Sequence, residues 1–513
     1  MLDPEYLEKF SDQLLALIDE LSAAIIGDIA RRIVKTKQIT DTAKHQAHVL
    51  QNSGVVYQDA VKRIGQVSGY TDREVKRLFE ESGVQNIKNE SVIYRRAGKK
   101  PIGLHQSEEI QKILNANFRK TKGEIRNLTL TTANKAQSAY INACNNAMLK
   151  VQSGAFSYDK AIADAIKEAA VQGTEVLYPT GHTDKLDVAV RRATLTGVNQ
   201  SAAQLNIEYA QEMGCDYVET TAHSGARPEH QIWQGKVFCI SGKDPKYPSF
   251  YESTGYGTGP GLCGWNCRHN FHAFIPGVST PAYTDDMLKE YSAKNYEYNG
   301  RNYTEYEVSQ MQRFQERQIR STKRKLTGYD AGIKVAGNDE VLKNTLQQRF
   351  ESESVRLKEQ EKKLKEFCRQ TGRRVESART QVHAVLDSKG NIVGFNRSVA
   401  QKAVWANKRY QKVENGSIIK VSDKQFGKKI GKHTKEYGLD PRSTKDRRIM
   451  RHTILDIVEN ASEIRSGEWR GQAGEILFYI KGKDVVVVKK SGEFITILKD
   501  GVDNARVKNA RKR

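Results

Sequence analysis

Residues 14–33, LLALIDELSAAIIGDIARRI, decide the fold class of the first part of this chain. Leu14, Ile18, Leu21, Ile25, Ile29 and Ile33 recur three or four residues apart, which puts them on one stripe of a helix. Carboxylates and arginines take its other faces, so the spacing predicts an amphipathic helix docked in an α-rich assembly. The pattern continues outward. Thr71-Asp72 reads as the start of a short helix carrying Val75, Leu78 and Phe79. A long helical stretch runs from Ser107 to Leu149 with a break at Thr129–Thr132. Ser157 has the chemistry of an N-cap for YDKAIADAIKEAAVQG, and Gly173 that of its stop. HTDKLDVAVRRATLTGVNQSAAQLNIEYAQEMG reads as one or two more helices.

The texture changes at Cys215. DYVETTAHSGARPEHQIWQGKVFCI alternates like strands around a turn, and residues 241–277 are loaded with Gly, Pro, Ser and Tyr. Loops that long are usually functional or pinned by a metal. EYEVSQMQRFQERQIRSTKRKL and the run from Asn338 to Gly372 are rich in Gln, Glu, Lys and Arg, as in long exposed helices or a coiled hairpin. Residues 381–414 read as a linker. The last hundred residues read as a small α+β domain. A strand at Ser417–Val421 precedes helices at Lys424–Tyr437 and Thr444–Ser462. The β runs EILFYIKG, KDVVVVKK and EFITILKDG follow, joined by the hairpin turns Lys481-Gly482-Lys483 and Ser491-Gly492. The expected architecture is therefore multidomain. Residues 1–300 form a mostly α region containing a Cys/His loop at 215–280, and 301–380 a helical extension. Residues 415–513 place two helices on a four-stranded antiparallel sheet.

A chain of 513 residues implies several domains. Its net charge of +22 favours polyanionic partners, nucleic acid or an acidic protein surface. The acidic N-terminus lacks the order of a signal peptide and no apolar run is long enough to span a bilayer, so no membrane role is expected. Six cysteines in so long a chain do not make a disulfide framework, which fits synthesis in a reducing cytoplasm.

His223, His230, Cys239, Cys263, Cys267, His269 and His272 lie within fifty residues. In CGWNCRHNFH the two cysteines, with histidines from the preceding loop, could close a tetrahedral zinc site. The candidate ligands are His223, His230, Cys263, Cys267 and His269. Buried thiols and aromatic packing account for the same residues without a metal. No HExxH helix or carboxylate cluster points to hydrolysis. HSGARPEHQIWQGKVF and GYGTGPGLCGWNCRHNFHAFIPG, with YEVSQMQRFQERQIRSTKRK and KEFCRQTG after them, resemble the minor capsid (head morphogenesis) proteins of tailed phages over residues 1–385. The resemblance implies a low-copy virion component near the portal, with portal and capsid proteins as partners and no catalysis. His223, Arg227, His230, Trp233, Cys263, Cys267 and His269 are then motif positions of structural character.

The tail needs its own account. From Gln411 to Arg513, Lys and Arg number 24 against 14 Asp and Glu. Two helices followed by a curved antiparallel sheet, with GKKIGKH, GEWRGQ, LFYIKG and FITILKDGVDNARVKNA, resemble the barnase–EndoU–colicin–RelE ribonucleases that tip bacterial and phage toxins. Metal-independent RNA cleavage needs a base for the 2′-hydroxyl, an acid for the 5′-oxygen and cations for the phosphate. His433 can supply the first, with Arg470, Tyr479, Thr496 and Lys499 as catalytic partners. Lys429, Lys432, Gln472, Asn504, Arg506 and Lys508 are candidates for holding RNA. Glu468 is an alternative base, and Arg470 could instead pair with Glu468 on the surface. His452 is the other histidine of this domain, set beside an expected core stripe of Ile449, Thr453 and Ile457. The domain has no cysteine and no Asp pair suited to Mg²⁺, so no cofactor is expected for cleavage. An RNA-cutting toxin implies a host RNA substrate such as tRNA and an acidic immunity protein. The competing account is a wholly structural virion protein whose basic tail binds packaged DNA or the portal. A zinc enzyme centred on Cys263 and Cys267 is a further alternative.

Overall fold

A computed structural model describes residues 2, 6–7, 12–37, 41–104, 106–154, 156–380, 384–386, 392–395, 399, 402–403, 433–472 and 474–512. The chain divides into two compact units, residues 1–350 with 359–399 and residues 351–358 with 400–513.

The first unit is dominated by α1 (Asp12–Thr36), α2 (Thr42–Arg96), α3 (Glu108–Gln152), α4 (Tyr158–Gln172) and α5 (Leu186–Glu212). The short α6 (Pro228–Gln231), α7 (Phe250–Thr254) and α8 (Asp285–Ser292) follow, then the long α9 (Glu305–Val335) and α10 (Glu340–Thr371), the last shared with the second unit. The opening stripe is buried as its spacing predicts, but Leu17, Ile26, Ala30 and Val34 are buried too. α1 is thus enclosed nearly all round, packed on α2, α4, α5 and α9. α2 runs unbroken through Thr71-Asp72, against the expected restart. The Thr71 hydroxyl donates back to Val67 O, and Asp72 pairs across to Lys122 and Arg126 on α3. α3 likewise passes through Thr129–Thr132, where the hydroxyls of Thr129, Thr131 and Thr132 return to carbonyls one turn earlier. This back-bonding lets threonine sit in a helix interior. Ser157 does cap α4, accepting from Lys160 N.

α9 is not the exposed helix its composition predicts. Val308, Ile319, Lys323, Arg324 and Leu326 are buried, and Arg320 and Arg324 both reach Asp187 on α5. Arg320 also meets Asp19 of α1 at 3.0 Å. Polar composition here reflects internal ion pairing, which a sequence pattern does not distinguish from solvation.

Small sheets decorate this bundle. β1 (Glu175–Leu177) pairs with β2 (Thr183–Lys185). β3 (Tyr217–Thr220) is the centre of a three-stranded sheet between β4 (Val237–Cys239) and β5 (Phe271–Ala273). β6 (Tyr296–Tyr298) pairs with β7 (Arg301–Tyr303), and β8 (Ala384–Leu386) pairs antiparallel with β9 (Ile392–Phe395), so two paired strands fall within the expected linker.

In the second unit a helical turn at 433–436 precedes α11 (Thr444–Glu459). β10 (Glu463–Gly467), β11 (Ile476–Lys481), β12 (Asp484–Lys489), β13 (Phe494–Leu498), α12 (Ala505–Lys508) and β14 (Arg511–Lys512) follow. The expected strand at 417–421 and most of the helix before Tyr437 lie outside the described residues. Among the described residues the sheet is antiparallel with five strands in the order β13-β12-β11-β10-β14, including β10 and β14, which were not expected. β10 was missed because all five of its residues are half-buried and show no alternation. The run Val485–Val488 is buried throughout because both faces of the sheet are covered. Leu477, Tyr479, Val486, Val488 and Ile497 pack under Met450, Ile454 and Ile457 of α11. Ile476, Phe478, Ile480, Val485 and Val487 meet Val507 of α12 on the other side. The buried stripe of α11 therefore runs through Met450 and Ile454, and Ile449 is 43% exposed.

Candidate functional site

The turn at 433–436 brings His433 and Glu436 together because residues three apart share one helix face. His433 Nδ1 lies 2.7 Å from Glu436 Oε2, and Nε2 lies 3.3 Å from Thr496 Oγ1. A carboxylate only accepts, so Nδ1 carries the hydrogen, and in the neutral ring Nε2 presents its lone pair. Thr496 sits opposite Val487 beside the register shift between Val487 and Val488. Such irregularities re-aim side chains. Lys499, just past β13, donates to Glu436 O at 2.7 Å and holds its ammonium 5.6 Å from the Tyr437 ring. Burial, then the neighbouring Asp484 carboxylate, pushes the Tyr437 phenol up from its ordinary value. The result is an imidazole held from both sides, with only 15% of its side chain exposed, and the Lys499 ammonium bonded to the backbone of its partner Glu436.

The other sequence candidates are dispersed. Tyr479 is in the core facing α11. Arg470 is exposed in the turn after β10, whereas Thr496 is on β13, and those two strands are three intervals, roughly 14 Å, apart across the sheet. Arg470 follows the end of the sheet where β10 stops, and Lys499 follows the opposite end. Among the described residues no hydrogen bond or ion pair joins Arg470 to His433, Thr496, Lys499 or Glu468. Gln472 is in the same turn as Arg470, its N–H donating to Trp469 O. Asn504 caps α12, and the exposed Arg506 and Lys508 lie on that helix, on the sheet face away from α11. Lys429 and Lys432 lie outside the described residues. His452 belongs to α11. Glu436 and Tyr437 were not singled out from the sequence; the i, i+3 spacing to His433 was the available signal.

A second cluster sits in the first unit. α6 carries His230, and the chain entering β5 carries Cys267 and His269; all three are buried. Their ligand atoms lie within 4.8 Å of one another, a group that could hold a metal ion. Cys267 Sγ is 3.7 Å from His230 Nδ1 and 3.7 Å from His269 Nδ1. The opposite ring nitrogens are engaged: His230 Nε2 with Pro260 O at 2.8 Å, His269 Nε2 with Gln234 Oε1 at 3.1 Å. Arg227 Nη2 also lies 2.9 Å from His230 Nε2, but a guanidinium only donates. One nitrogen cannot serve both partners, and the Pro260 contact is the shorter, so we assign the hydrogen to Nε2. Burial drives the His269 pKa well down and that of His230 down, and raises the Cys267 thiol to about 11.

Cys263 and His223 are neighbours rather than members of this group. Cys263 Sγ points to His269 O at 3.4 Å, and His223 stacks on His269 with ring centroids 4.3 Å apart. Cys239 meets Asp216, and His272 meets the buried Glu219. The backbone of the turn is unusually constrained. Cys263 and Asn266 adopt left-handed φ of 58° and 54°, which costs an L-residue of order 1 kcal/mol each. A Cβ on Gly261 would stand 2.0 Å from Gly255 O. Asn199 of α5, buried, holds the turn by donating to Cys267 O and His269 O at 3.0 and 2.8 Å. Sequence reasoning passed over Asn199, although an Asn inside an apolar helix must find a partner.

Among the described residues no helix is long and apolar enough to cross a membrane. No solved structure matches the chain. A "Structural protein" of Lactococcus phage LL-H is 27% identical over 240 residues, 44% of this chain and 60% of that relative. A "Structural protein" of Lactococcus phage mv4 is 38% identical over 82 residues, 16% of this chain and 57% of the relative. The chain thus spans less than two thirds of the length of either relative. The family model for phage minor capsid protein 2 matches residues 2–369, the helical bundle together with the Cys/His loop, and the chain belongs to that family.

Proposed function

We propose that this is a virion protein, made in the cytoplasm of a bacterial host and joined to portal and capsid proteins, whose C-terminal unit is a metal-independent endoribonuclease. The observation that carries the second half is the His433 imidazole set between Glu436 and Thr496. Glu436 orients the ring so that Nε2 can take the proton of a ribose 2′-hydroxyl. The 2′-oxygen attacks phosphorus, a 2′,3′-cyclic phosphate forms, and the 5′-oxygen leaves with a proton from water. Lys499 supplies positive charge near the reacting phosphate. Arg470, Gln472, Arg506 and Lys508, distant from the ring, serve in holding the RNA backbone, with tRNA or another host RNA as substrate. An acidic immunity protein would cover the basic surface in the producing cell. In the first unit we propose zinc as the ion of the His230, Cys267 and His269 group, since two imidazoles and a thiolate suit that ion, in a structural role.

The test uses the full chain and total RNA, with and without EDTA. Cleavage that leaves cyclic phosphate ends and survives EDTA is expected. His433→Ala should lower the rate by about 10²–10⁴-fold, and Glu436→Gln by a smaller factor with KM unchanged. RNA that is bound in a salt-sensitive manner but stays intact overturns the enzyme and leaves a nucleic-acid-binding virion protein.

A further inference from the structure

The cysteine pair in CGWNC suggests that both thiols would bind an ion together. The geometry assigns the metal site differently: Cys267 is its sole thiolate ligand, His230 and His269 bind through Nδ1, and Cys263 stays outside. This deepens the zinc reading above and rests on it.

Three observations carry the assignment. The first is spacing. Zinc–sulfur and zinc–nitrogen bonds of about 2.3 and 2.0–2.1 Å at a tetrahedral angle give a sulfur–nitrogen edge of about 3.6 Å. Both observed separations from Cys267 Sγ are 3.7 Å, and both go to Nδ1 atoms. The second is tautomer control. Each distal Nε2 donates to a carbonyl-type oxygen, Pro260 O or Gln234 Oε1, which leaves each Nδ1 lone pair directed to the sulfur. Metal-bound histidines almost always have such an outer partner. The third is the disposition of Cys263. Its thiol is engaged with His269 O, and it is not one of the group that shares a 4.8 Å neighbourhood. His223 lies flat against His269 with an interplanar angle of 26°, as a packing neighbour. A tetrahedral ion would take one further nitrogen or oxygen ligand. On binding, the Cys267 proton is released to solvent as the Zn–S bond forms, with no change of oxidation state.

Gln234 becomes a positioning residue. Its side-chain oxygen receives His269 Nε2–H and also the His223 backbone N–H at 3.2 Å. It therefore ties the ligand ring to the loop on which His223 stands. Removing that acceptor frees the His269 ring and should weaken zinc binding by about 10–100-fold. Gln234→Glu keeps an acceptor oxygen and should recover most of the affinity.

The experiment is X-ray absorption spectroscopy of the full-length chain loaded with one equivalent of zinc, together with competitive chelator titration. Expected are one sulfur and about three nitrogen or oxygen neighbours, full loading of Cys263→Ala, and a weaker site in Gln234→Leu that Gln234→Glu restores. Two sulfurs around the ion, or equal loss of zinc in Cys263→Ala, overturns this ligand assignment while leaving zinc in the loop. A chain that takes up no zinc overturns both. The spectrum is read on the unmutated chain, so the assignment does not depend on Cys267→Ala folding.

Discussion

Glu316 shows how a single side chain records its burial. It lies on α9 with 4% of its surface exposed, and Gln312 Nε2 donates to its Oε1 at 3.0 Å. Burial raises its pKa above the usual carboxylate value, and nearby Arg379 only partly offsets this. A raised carboxyl favours the protonated form in the folded state. Its contribution is thus fully favourable below the unfolded value of about 4.5 and is lost as pH rises through the folded pKa. Glu316→Gln keeps the acceptor and removes the charge. The variant should melt at a higher temperature than the parent at pH 7, with the gain shrinking to zero near pH 4. A gain that persists at pH 4, or a loss at pH 7, would contradict the assignment. The His433 ring is instead fixed by geometry, through one local partner (Glu436) and one 63 residues away (Thr496).

Among elements, α9 carries the most information. Its arginines enter the bundle to meet Asp187 on α5 and Asp19 on α1, and Asp187 is only 2% exposed. Burial presses both guanidinium pKa values down, so the pairing carboxylates are what keep these charges tolerable. Replacing a buried pair with apolar residues can be neutral, but removing one partner leaves an uncompensated charge. Asp187→Ala should therefore cost about 3–5 kcal/mol in denaturant unfolding of the first unit. A loss under about 1 kcal/mol would mean that water already reaches these arginines. The sheet of the second unit works by the reverse principle. Its central strands are apolar on both faces, and its polar chemistry is displaced to the turn at 433–436 and to the positions after β10 and β13.

At the scale of the whole molecule the net charge of +22 bears on the proposed RNA binding. Each single-strand phosphate neutralised contributes a slope of about −0.7 to the dependence of log affinity on log salt. RNA binding by the full chain should therefore fall steeply between low and physiological salt. Arg506→Ala, which removes one exposed cation from α12, should reduce the magnitude of that slope by about 0.7. An unchanged slope would remove Arg506 from the RNA contact.

Local signals were legible in the sequence: the α1 stripe, the Ser157 cap, the three hairpin strands and the crowding of Cys and His in one loop. Each depends on residues a few positions apart, where backbone geometry alone sets the outcome. The restart predicted at Thr71-Asp72 failed because hydroxyl back-bonding and pairing to α3 let α2 continue. The exposed helix predicted at 305–326 failed because its charges find buried partners far away in sequence. In the candidate sites, composition brought Cys263 and Cys267, or His433 and Arg470, onto the same short lists. Only the folded chain chose among them, turning Cys267 toward two histidines and putting Arg470 at the far end of the sheet. Periodicity and cap chemistry are properties of neighbours along the chain, while ligand choice and charge burial are decided by which distant segments pack together.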